Sequence, residues 1–232
     1  QVGMTRYESR GGRLRLFRGD SHRLDPITSG SIGVILTSPP YWVRGQGRPL
    51  AARYAHDLAV GFGPEWKRVL APDGDLWLMI GDRHDGAEWV GMDALVIGWL
   101  RRTGWRLQSR GFWLQTRSRE RWDNRVNYLL RFRKAGQPVR PRGTTLGWML
   151  PLPRSHPDSL WDAIPEPLVR AVLETSRKRG PVLDPFAGSG TVGRITASYG
   201  REWIGVERDP LMARVTARRL RRRFRRARRP GA

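Results

Sequence analysis

The sequence predicts an α/β protein in which helices cover both faces of a mostly parallel sheet. Segments with strand-like and helix-like apolar periodicity alternate along the chain, which is typical of this class. Residues 32–36 form a continuous apolar run, as expected for a strand buried on both faces. Further on, Val182 and Leu183 lead into a glycine-rich turn and a helix. A chain of 232 residues is too short for two such domains, so we expect a single domain over residues 4–232 with Met4 as the natural start.

The first half of the chain is expected to alternate strands and helices. The first strand runs into Gly19 and Asp20. Pro64 predicts the start of a helix, because proline suits the first helical turn, where a backbone N–H would have no partner. The Pro-Asp-Gly sequence at 72–74 predicts a turn that ends this helix. Apolar residues at helical spacing predict a second, amphipathic helix. The expected strands cover residues 14–17, 32–36 and 76–80. One expected helix begins at Pro64, and a second covers residues 87–102.

The second half of the chain contains two β-rich segments, a loop-like stretch and a further alternation of helices and strands. Residues 137–157 are dense in proline, glycine and arginine, which predicts loops or a small inserted element. Asp209 and Pro210 predict the start of a last helix, as its N-cap and first helical residue. The other expected elements are strands at 111–116, 126–132, 182–183 and 203–206, and helices around 168–173 and 192–195.

Positive charge dominates the composition. The formal net charge is +22, which indicates a polyanionic partner, most simply nucleic acid. A GC-rich genome would explain arginine in place of lysine but not the shortage of acidic residues. From Arg214 onward the chain has ten arginines and no acidic residue. Its first turns are expected to be anchored to the body of the protein by Leu211, Val215, Leu220 and Phe224. We expect the rest of a basic tail over about residues 218–232 to be frayed or disordered and to contact phosphates without reading sequence, the alternative being a solvated helix face.

Several classes of protein are excluded by what the sequence lacks. It contains no cysteine, so disulfides and cysteine-ligated metal sites are impossible. No apolar stretch reaches the length of a membrane span, and no signal-peptide pattern opens the chain. A reducing cytoplasm is compatible with this composition.

A polar-Pro-Pro-aromatic segment, Ser38, Pro39, Pro40 and Tyr41, follows the apolar run of residues 32–36. Two consecutive prolines remove two backbone donors and stiffen the chain. Carbonyl oxygens are then left as acceptors at the carboxyl edge of a parallel sheet, where ligands bind in open α/β folds. By itself, the segment is also compatible with a tight structural turn.

A glycine-rich segment with the sequence Asp-Pro-Phe-Ala-Gly-Ser-Gly-Thr occupies residues 184–191, between a strand and a helix. Glycines in such a turn allow the backbone to approach a ligand, and the helix N–H groups point at its anionic part. The next strand ends in Glu207, where dinucleotide-binding folds place an acid on ribose hydroxyls. Because Gly193 also has the spacing of the dinucleotide motif, this loop alone leaves a nicotinamide cofactor open.

Together the two segments resemble the DNA amino-methyltransferases, which methylate an exocyclic nitrogen of cytosine or adenine with S-adenosylmethionine. The catalytic segment precedes the cofactor loop, which is similar to the permuted motif order of the beta group of that family. The resemblance covers most of the chain, because residues 19–41, 68–82 and 161–173 match further family blocks. It implies a Rossmann-like S-adenosylmethionine-dependent methyltransferase fold, and the Ser-Pro-Pro-Tyr segment argues against a nicotinamide cofactor.

The resemblance implies a cofactor site that releases S-adenosylhomocysteine as product and needs no metal. Gly188 and Gly190 would allow close approach, Asp184 would accept hydrogen bonds near the cofactor's amino group, and Asp20 would lie near its adenine or simply cap a turn. Thr191 or Ser189 would cap the helix or bind the cofactor's carboxylate. The full expected set is Asp20, Thr37, Asp184, Phe186, Gly188, Ser189, Gly190, Thr191 and Glu207.

The catalytic residues implied by the resemblance are Ser38, Pro39, Pro40 and Tyr41. An exocyclic amino group is a poor nucleophile because its lone pair is delocalised into the base ring. The Ser38 side chain and the Pro39 carbonyl would accept its two hydrogens, and Tyr41 would stack on a flipped base. Most of the rate would come from positioning and fixed dipoles. Family members that act on cytosine N4 generally carry serine at position 38, which predicts cytosine-N4 methylation in double-stranded DNA.

Two other functions stay open: an adenine-N6 or RNA methyltransferase, and a non-catalytic nucleic-acid-binding protein with a decayed methyltransferase fold. We expect a cytoplasmic, prokaryotic protein, associated with the nucleoid through DNA, which acts as a monomer or homodimer. It could belong to a restriction-modification system with a cognate endonuclease. Residues 137–157 are the expected recognition region, and residues 43–53 a loop that closes over DNA. Trp42, Trp113 and Trp122 are candidates for stacking on bases.

Overall fold

A computed structural model describes residues 5–9, 12–40, 47–81, 84–85, 88–114, 126–137, 164–176 and 180–226 of the chain. Its strands are β1 (Thr5–Glu8), β2 (Leu14–Arg18), β3 (Ile32–Thr37), β4 (Leu70–Gly81), β5 (His84–Asp85), β6 (Glu88–Trp89), β7 (Trp105–Leu114), β8 (Val126–Lys134), β9 (Val182–Asp184) and β10 (Trp203–Glu207). Its helices are α1 (Gly47–Asp57), α2 (Gly63–Val69), α3 (Met92–Arg102), α4 (Glu166–Thr175), α5 (Thr191–Ser198) and α6 (Pro210–Arg226), and a π-helical segment, Leu58–Phe62, joins α1 to α2.

Eight of these strands form one sheet in the order β1-β2-β10-β9-β3-β4-β8-β7, while β5 and β6 pair separately. The five strands from β2 to β4 run parallel to their neighbours. β1 at one edge and β8 and β7 at the other are antiparallel. The carboxyl ends of the five parallel strands therefore share one edge of the sheet, and the loops that leave it lie side by side.

Helices cover both faces of the sheet, which confirms the predicted fold class. One core contains Ile35 of β3 and Leu183 of β9 and is covered by α1, the π-helical segment, α2 and α3. The other contains Val34 and Val182 from the same two strands and is covered by α4, α5 and α6. Successive residues of a strand point to opposite faces, so the continuous apolar runs supply both cores at once.

The neighbouring strands β3 and β9 mark the point where the chain changes faces. β3 leads to α1 on one face, and β9 leads to α5 on the other. Their parallel pairing places Ile35 beside Leu183. In open α/β sheets, ligands bind at such a switch point, outside the carboxyl ends of the strands. The fold alone therefore directs attention to the loops after Thr37 and Asp184.

Three predicted elements differ from the structure. The helix predicted over residues 87–102 starts only at Met92, because Gly91 has a left-handed φ of 70° and Glu88–Trp89 is a short strand. The turn predicted at 72–74 lies inside β4, where the pairing register with β3 shifts. From residue 47, the loop predicted over residues 43–53 is the helix α1.

The last helix, α6, extends to Arg226, because Ala213, Ala217 and Leu220 are buried in the core under it. Leu220 is one of the expected anchors, whereas Leu211, expected to be another, is exposed. Residues 227–232 lie outside the described part, as do residues 43–46, Trp42, Trp122 and, apart from Gln137, the predicted recognition region. Among the described helices, none combines the length and apolarity that a membrane crossing requires.

Candidate active site

A cavity of about 850 Å³ opens at the carboxyl edge of the parallel strands. The loops after β2, β3, β9 and β10 line it, together with one face of α1 and the π-helical segment. The two motifs, distant in sequence, therefore meet in space. Ten predicted site residues line this cavity: Asp20, Ser38, Pro39, Pro40, Asp184, Phe186, Gly188, Ser189, Thr191 and Glu207.

Asp184, which lines the cavity, forms a buried pair with Thr37 behind it. The Thr37 hydroxyl donates a hydrogen bond of 2.6 Å to Oδ1 of Asp184, and the Phe186 N–H donates to the same oxygen at 3.2 Å. Burial raises the pKa of Asp184 from 3.8 to about 7, with a smaller contribution from the negative charge of Glu207, although both hydrogen bonds oppose the shift. A carboxyl group in this state is suited to a cationic ligand, because a positive charge beside it favours ionisation.

The glycine-rich loop has the geometry that its glycines permit. Gly188 and Gly190 have φ values of 48° and 79°, in the left-handed region that side chains disfavour. A Cβ on Gly190 would also lie 2.6 Å from Cγ2 of Thr216 in α6. Gly188 lines the cavity, while Gly190 contacts α6, so the two glycines serve different purposes in the fold.

Glu207 links three segments at the end of β10. Its Oε2 accepts a hydrogen bond of 2.8 Å from the Gly188 N–H, and its Oε1 accepts one of 2.8 Å from the Asp209 N–H. The Gly19 N–H donates to the Glu207 carbonyl at 3.0 Å. Through these bonds, Glu207 fixes the glycine-rich loop, the turn into α6 and the loop after β2 relative to one another. Its role toward a ribose stays a prediction.

Asp20 is exposed at the rim of the cavity and bonded to His22. The carboxylate accepts a hydrogen bond from the His22 N–H at 3.0 Å and contacts Nδ1 of His22 at 2.6 Å. Burial acts to raise the pKa of Asp20, but these contacts and the charge of Arg208 outweigh it, so the pKa is lowered. Asp20 thus caps its own turn in this structure, which is the simpler of the two roles expected for it.

An aromatic wall forms the side of the cavity that sequence reasoning missed. The ring of Phe62, from the π-helical segment, stacks on His22 with centroids 3.8 Å apart and meets Phe186 edge-on at 5.0 Å. Tyr54 and Leu58 line the same side. The available signal was the run of apolar residues at 58–60 and 62 before Pro64, which extends the helical pattern toward the N-terminus.

Four other predicted site residues have less direct positions or contacts than expected, or lie outside the described part. Thr37 contacts Asp184 but is fully buried. Ser189 and Thr191 place their hydroxyl oxygens 3.3 Å apart, and neither side chain caps α5, whose N-cap is Gly190. Tyr41 falls outside the described ranges, so its stacking role stays a prediction. Among the described side chains, no cluster of histidine and carboxylate groups could hold a metal ion.

The parallel sheet, its switch point and the glycine-rich loop define the class of protein: a Rossmann-like methyltransferase fold. A family model described as DNA methylase, of the N6/N4 type, matches residues 155–218. The Type II methyltransferase M.XycI of Xanthomonas campestris pv. cyanopsidis is 28% identical over 267 residues, which cover 88% of this chain and 87% of that protein.

Two solved structures share the fold over nearly the whole chain. The PvuII DNA methyltransferase, described as cytosine-N4-specific, has a TM-score of 0.73 at 19% identity and covers 91% of this chain and 86% of its own. A putative DNA modification methylase of Thermus thermophilus, complexed with S-adenosyl-L-methionine, has a TM-score of 0.71 at 24% identity and covers 89% and 92%. In sequence and in fold, the chain is therefore similar to the DNA amino-methyltransferases, the N6/N4 class of DNA methyltransferases.

Proposed function

We propose that this protein transfers a methyl group from S-adenosylmethionine to the N4 amino group of cytosine in double-stranded DNA. The observation that carries the proposal is the meeting of Ser38 and Pro39 with the loop that follows Asp184 in one cavity. These segments end neighbouring parallel strands at the switch point of the sheet. A methyl donor held by one segment would lie beside a base held by the other.

The cavity residues fit S-adenosylmethionine. The cavity has a volume of about 850 Å³, which suits S-adenosylmethionine together with part of a base. Asp184 offers a buried carboxyl for the cationic amino group of the ligand, and burial is the main cause of its raised pKa of about 7. Phe186, Phe62 and His22 offer flat surfaces for a purine ring.

The chemistry needs little more than positioning. When bound, S-adenosylmethionine supplies a methyl group on a positively charged sulfur, and the sulfur keeps the bonding electrons as the methyl leaves. In this proposal the Ser38 hydroxyl and the Pro39 carbonyl would accept the two amino hydrogens, which would increase lone-pair character on the attacking nitrogen. The methylated nitrogen then loses one proton to solvent. Fixed acceptors of this kind act without reorganising during the reaction.

DNA as substrate is supported by the family and by charge. The net charge of +22 suits a polyanion, and relatives such as M.XycI are named Type II methyltransferases. Serine at position 38, together with the fold of the cytosine-N4-specific PvuII enzyme, supports cytosine over adenine. Membership of a restriction-modification system fits the names of the relatives, and a partner endonuclease remains a prediction.

Incubation of unmethylated genomic DNA with the protein and S-adenosylmethionine, followed by nucleoside mass spectrometry, tests the proposal. Chromatography must separate N4-methylcytosine from 5-methylcytosine, which has the same mass. N4-methylcytosine is the expected product. N6-methyladenine would overturn the choice of base, and the absence of any methylated nucleoside on every DNA tested would overturn the proposed activity.

Ser38→Ala should lower turnover by about 100-fold, the effect of removing one preorganised polar group at a reacting centre. The affinity for S-adenosylhomocysteine, measured by calorimetry, should change little, because Ser38 belongs to the base-binding segment. Ser198→Ala is the matched control, since Ser198 is exposed at the far end of α5 and bonds only locally to the Ile195 carbonyl. Equal turnover of the two variants would contradict the assigned role of Ser38.

A further inference from the structure

The C-terminal helix α6 contacts the glycine-rich loop and also carries a dense set of positive charges. On one side its residues contact the backbone of the glycine-rich loop. Away from that contact it exposes arginine side chains. A single rigid element therefore connects the cofactor loop to a positively charged surface.

Three consecutive residues of the loop are held by α6. The hydroxyl of Thr216 donates a hydrogen bond to the Gly188 carbonyl. Nη1 of Arg219 donates to the Ser189 carbonyl at 3.2 Å. Gly190 packs so closely on Thr216 that no side chain fits between them. The position of α6 thus determines the conformation of the loop that lines the cavity.

The start of α6 is tied to the same loop. Glu207 bonds the Gly188 N–H with one carboxylate oxygen and the Asp209 N–H with the other. Oδ1 of Asp209 caps the helix by accepting hydrogen bonds from the N–H groups of Leu211 at 2.7 Å and Met212 at 3.0 Å. Both the N–H and the carbonyl of Gly188 are therefore fixed by groups in or next to α6.

Charge on α6 is entirely of one sign. Arg214, Arg218 and Arg219 are exposed, and five more arginines follow within the helix, with no acidic residue between positions 210 and 226. Arg214 and Arg218 are four residues apart, a spacing at which like charges destabilise a helix. Neutralisation by a polyanion removes this repulsion, and a helix this rich in arginine suits the phosphates of a nucleic-acid backbone.

We infer that α6 binds the backbone phosphates of duplex DNA and that DNA bound there stabilises the loop conformation that holds S-adenosylmethionine. The inference rests on the proposed function, since both ligands come from it. Thr216 and Arg219 are positioning residues, which act through the loop backbone and not on the reacting atoms. Because binding free energies are reciprocal, the cofactor must strengthen DNA binding by the same factor.

Calorimetry with S-adenosylhomocysteine, with and without a saturating short duplex of mixed sequence, tests the inference at one fixed salt concentration. The duplex should tighten S-adenosylhomocysteine binding by about fivefold or more, the lower end of typical coupling. The reciprocal titration of duplex with and without S-adenosylhomocysteine should give the same factor. Affinity that is unchanged by the duplex would overturn the inference.

Two variants at position 219 separate charge from hydrogen bonding. Arg219→Ala should abolish the coupling, whereas Arg218→Ala removes the same charge one residue earlier and should retain it, because Arg218 makes no hydrogen bond to the described loop residues 184–190. Both should weaken DNA binding by a similar factor, as each removes one phosphate contact. Arg219→Lys should keep the DNA affinity, because the charge is retained, and lose part of the coupling, because the shorter lysine side chain lacks the Nη1 donor that bonds the Ser189 carbonyl.

Thr216→Val provides a second, independent variant. It keeps the shape of the side chain and removes the donor to Gly188, so S-adenosylhomocysteine should bind several-fold more weakly even without DNA. Equal coupling in Arg219→Ala and Arg218→Ala would overturn the inference while leaving the proposed function intact. Failure of the unaltered protein to bind S-adenosylhomocysteine would instead overturn the proposed function and this inference with it.

Discussion

Two buried carboxyl groups in the central sheet have opposite surroundings. Asp75 in β4 is 1% exposed, and Asp184 at the end of β9 is 3% exposed. Asp75 accepts hydrogen bonds from Arg131 at 2.9 Å and from Arg133 at 2.6 Å, both on the neighbouring strand β8. Among the described residues, the donors to Asp184 are both neutral, the Thr37 hydroxyl and the Phe186 N–H.

The difference separates a structural carboxylate from one available to a ligand. Two guanidinium groups neutralise Asp75 within the protein, and this arrangement joins β4 to the antiparallel edge of the sheet. Asp184 lies at the carboxyl edge, lines the cavity and is buried with the negative Glu207 nearby, which is why its pKa is raised to about 7. A buried carboxyl that the protein does not pair with a cation is available to a positively charged ligand.

The largest expected effect is a loss of stability when Asp75 is replaced. Asp75→Asn leaves two largely buried arginines without a counter-charge and should destabilise the protein by about 3–5 kcal/mol, measured by urea unfolding. Asp93→Asn is a graded control, because Asp93 is also buried but pairs with Arg110, whose side chain is half exposed. Asp93→Asn should lower the free energy of unfolding by less than Asp75→Asn. Equal losses would show that pairing with two arginines does not make Asp75 more important for stability than Asp93.

On the ligand side, Asp184→Asn should stabilise the ligand-free protein at pH 8. The unfolded chain releases the Asp184 proton near pH 3.8 while the folded protein keeps it until about pH 7, so ionisation of this group lowers stability as the pH rises between those values. Asparagine cannot ionise. The variant should therefore gain about 1–3 kcal/mol over the unaltered protein at pH 8 and almost nothing near pH 4, measured by thermal or urea unfolding.

Saturation with S-adenosylhomocysteine should reverse that order of stability at pH 8. The amino group of the ligand gives the ionised carboxylate of Asp184 its missing cation, whereas asparagine gains no such partner, and loss of a buried charge pair costs about 100-fold or more in affinity. If the variant stayed the more stable one in the presence of ligand, Asp184 would have no role in binding a cationic group.

The fold was predictable where strands are buried on both faces. The runs at 32–36, 182–183 and 203–206 are apolar throughout because both cores need them. Helix α1 and the π-helical segment were missed because their core contacts come largely from small residues such as Ala51, Ala55 and Ala59, which give weak periodicity. In α6, the small residues Ala213 and Ala217 pack into the core beside the expected anchor Leu220.

The candidate site was predictable as far as short motifs reach. Ser38 and Asp184 could be brought together from sequence because each lies at the end of a strand, and parallel strands end at one edge of a sheet. The partners of those residues were not predictable. Thr37 bonds Asp184 across 147 positions, and Phe62 stacks on His22 across 40. Contacts at such separations depend on strand register and helix placement, which no local pattern specifies.

The smallest expected effect concerns the hydroxyl of Thr37, which donates a hydrogen bond to Asp184. Thr37→Val keeps the shape of the side chain but removes the donor that favours the ionised carboxylate. The pKa of Asp184 should rise further, so S-adenosylhomocysteine should bind several-fold more weakly at pH 7 and recover part of that loss toward pH 8. Thr196→Val is the matched control, because Thr196 is also fully buried and its hydroxyl has no hydrogen-bond partner within the described residues. A calorimetric pH series on both variants measures the effect, and the same pH midpoint of binding in both would show that the Thr37 hydroxyl does not tune Asp184.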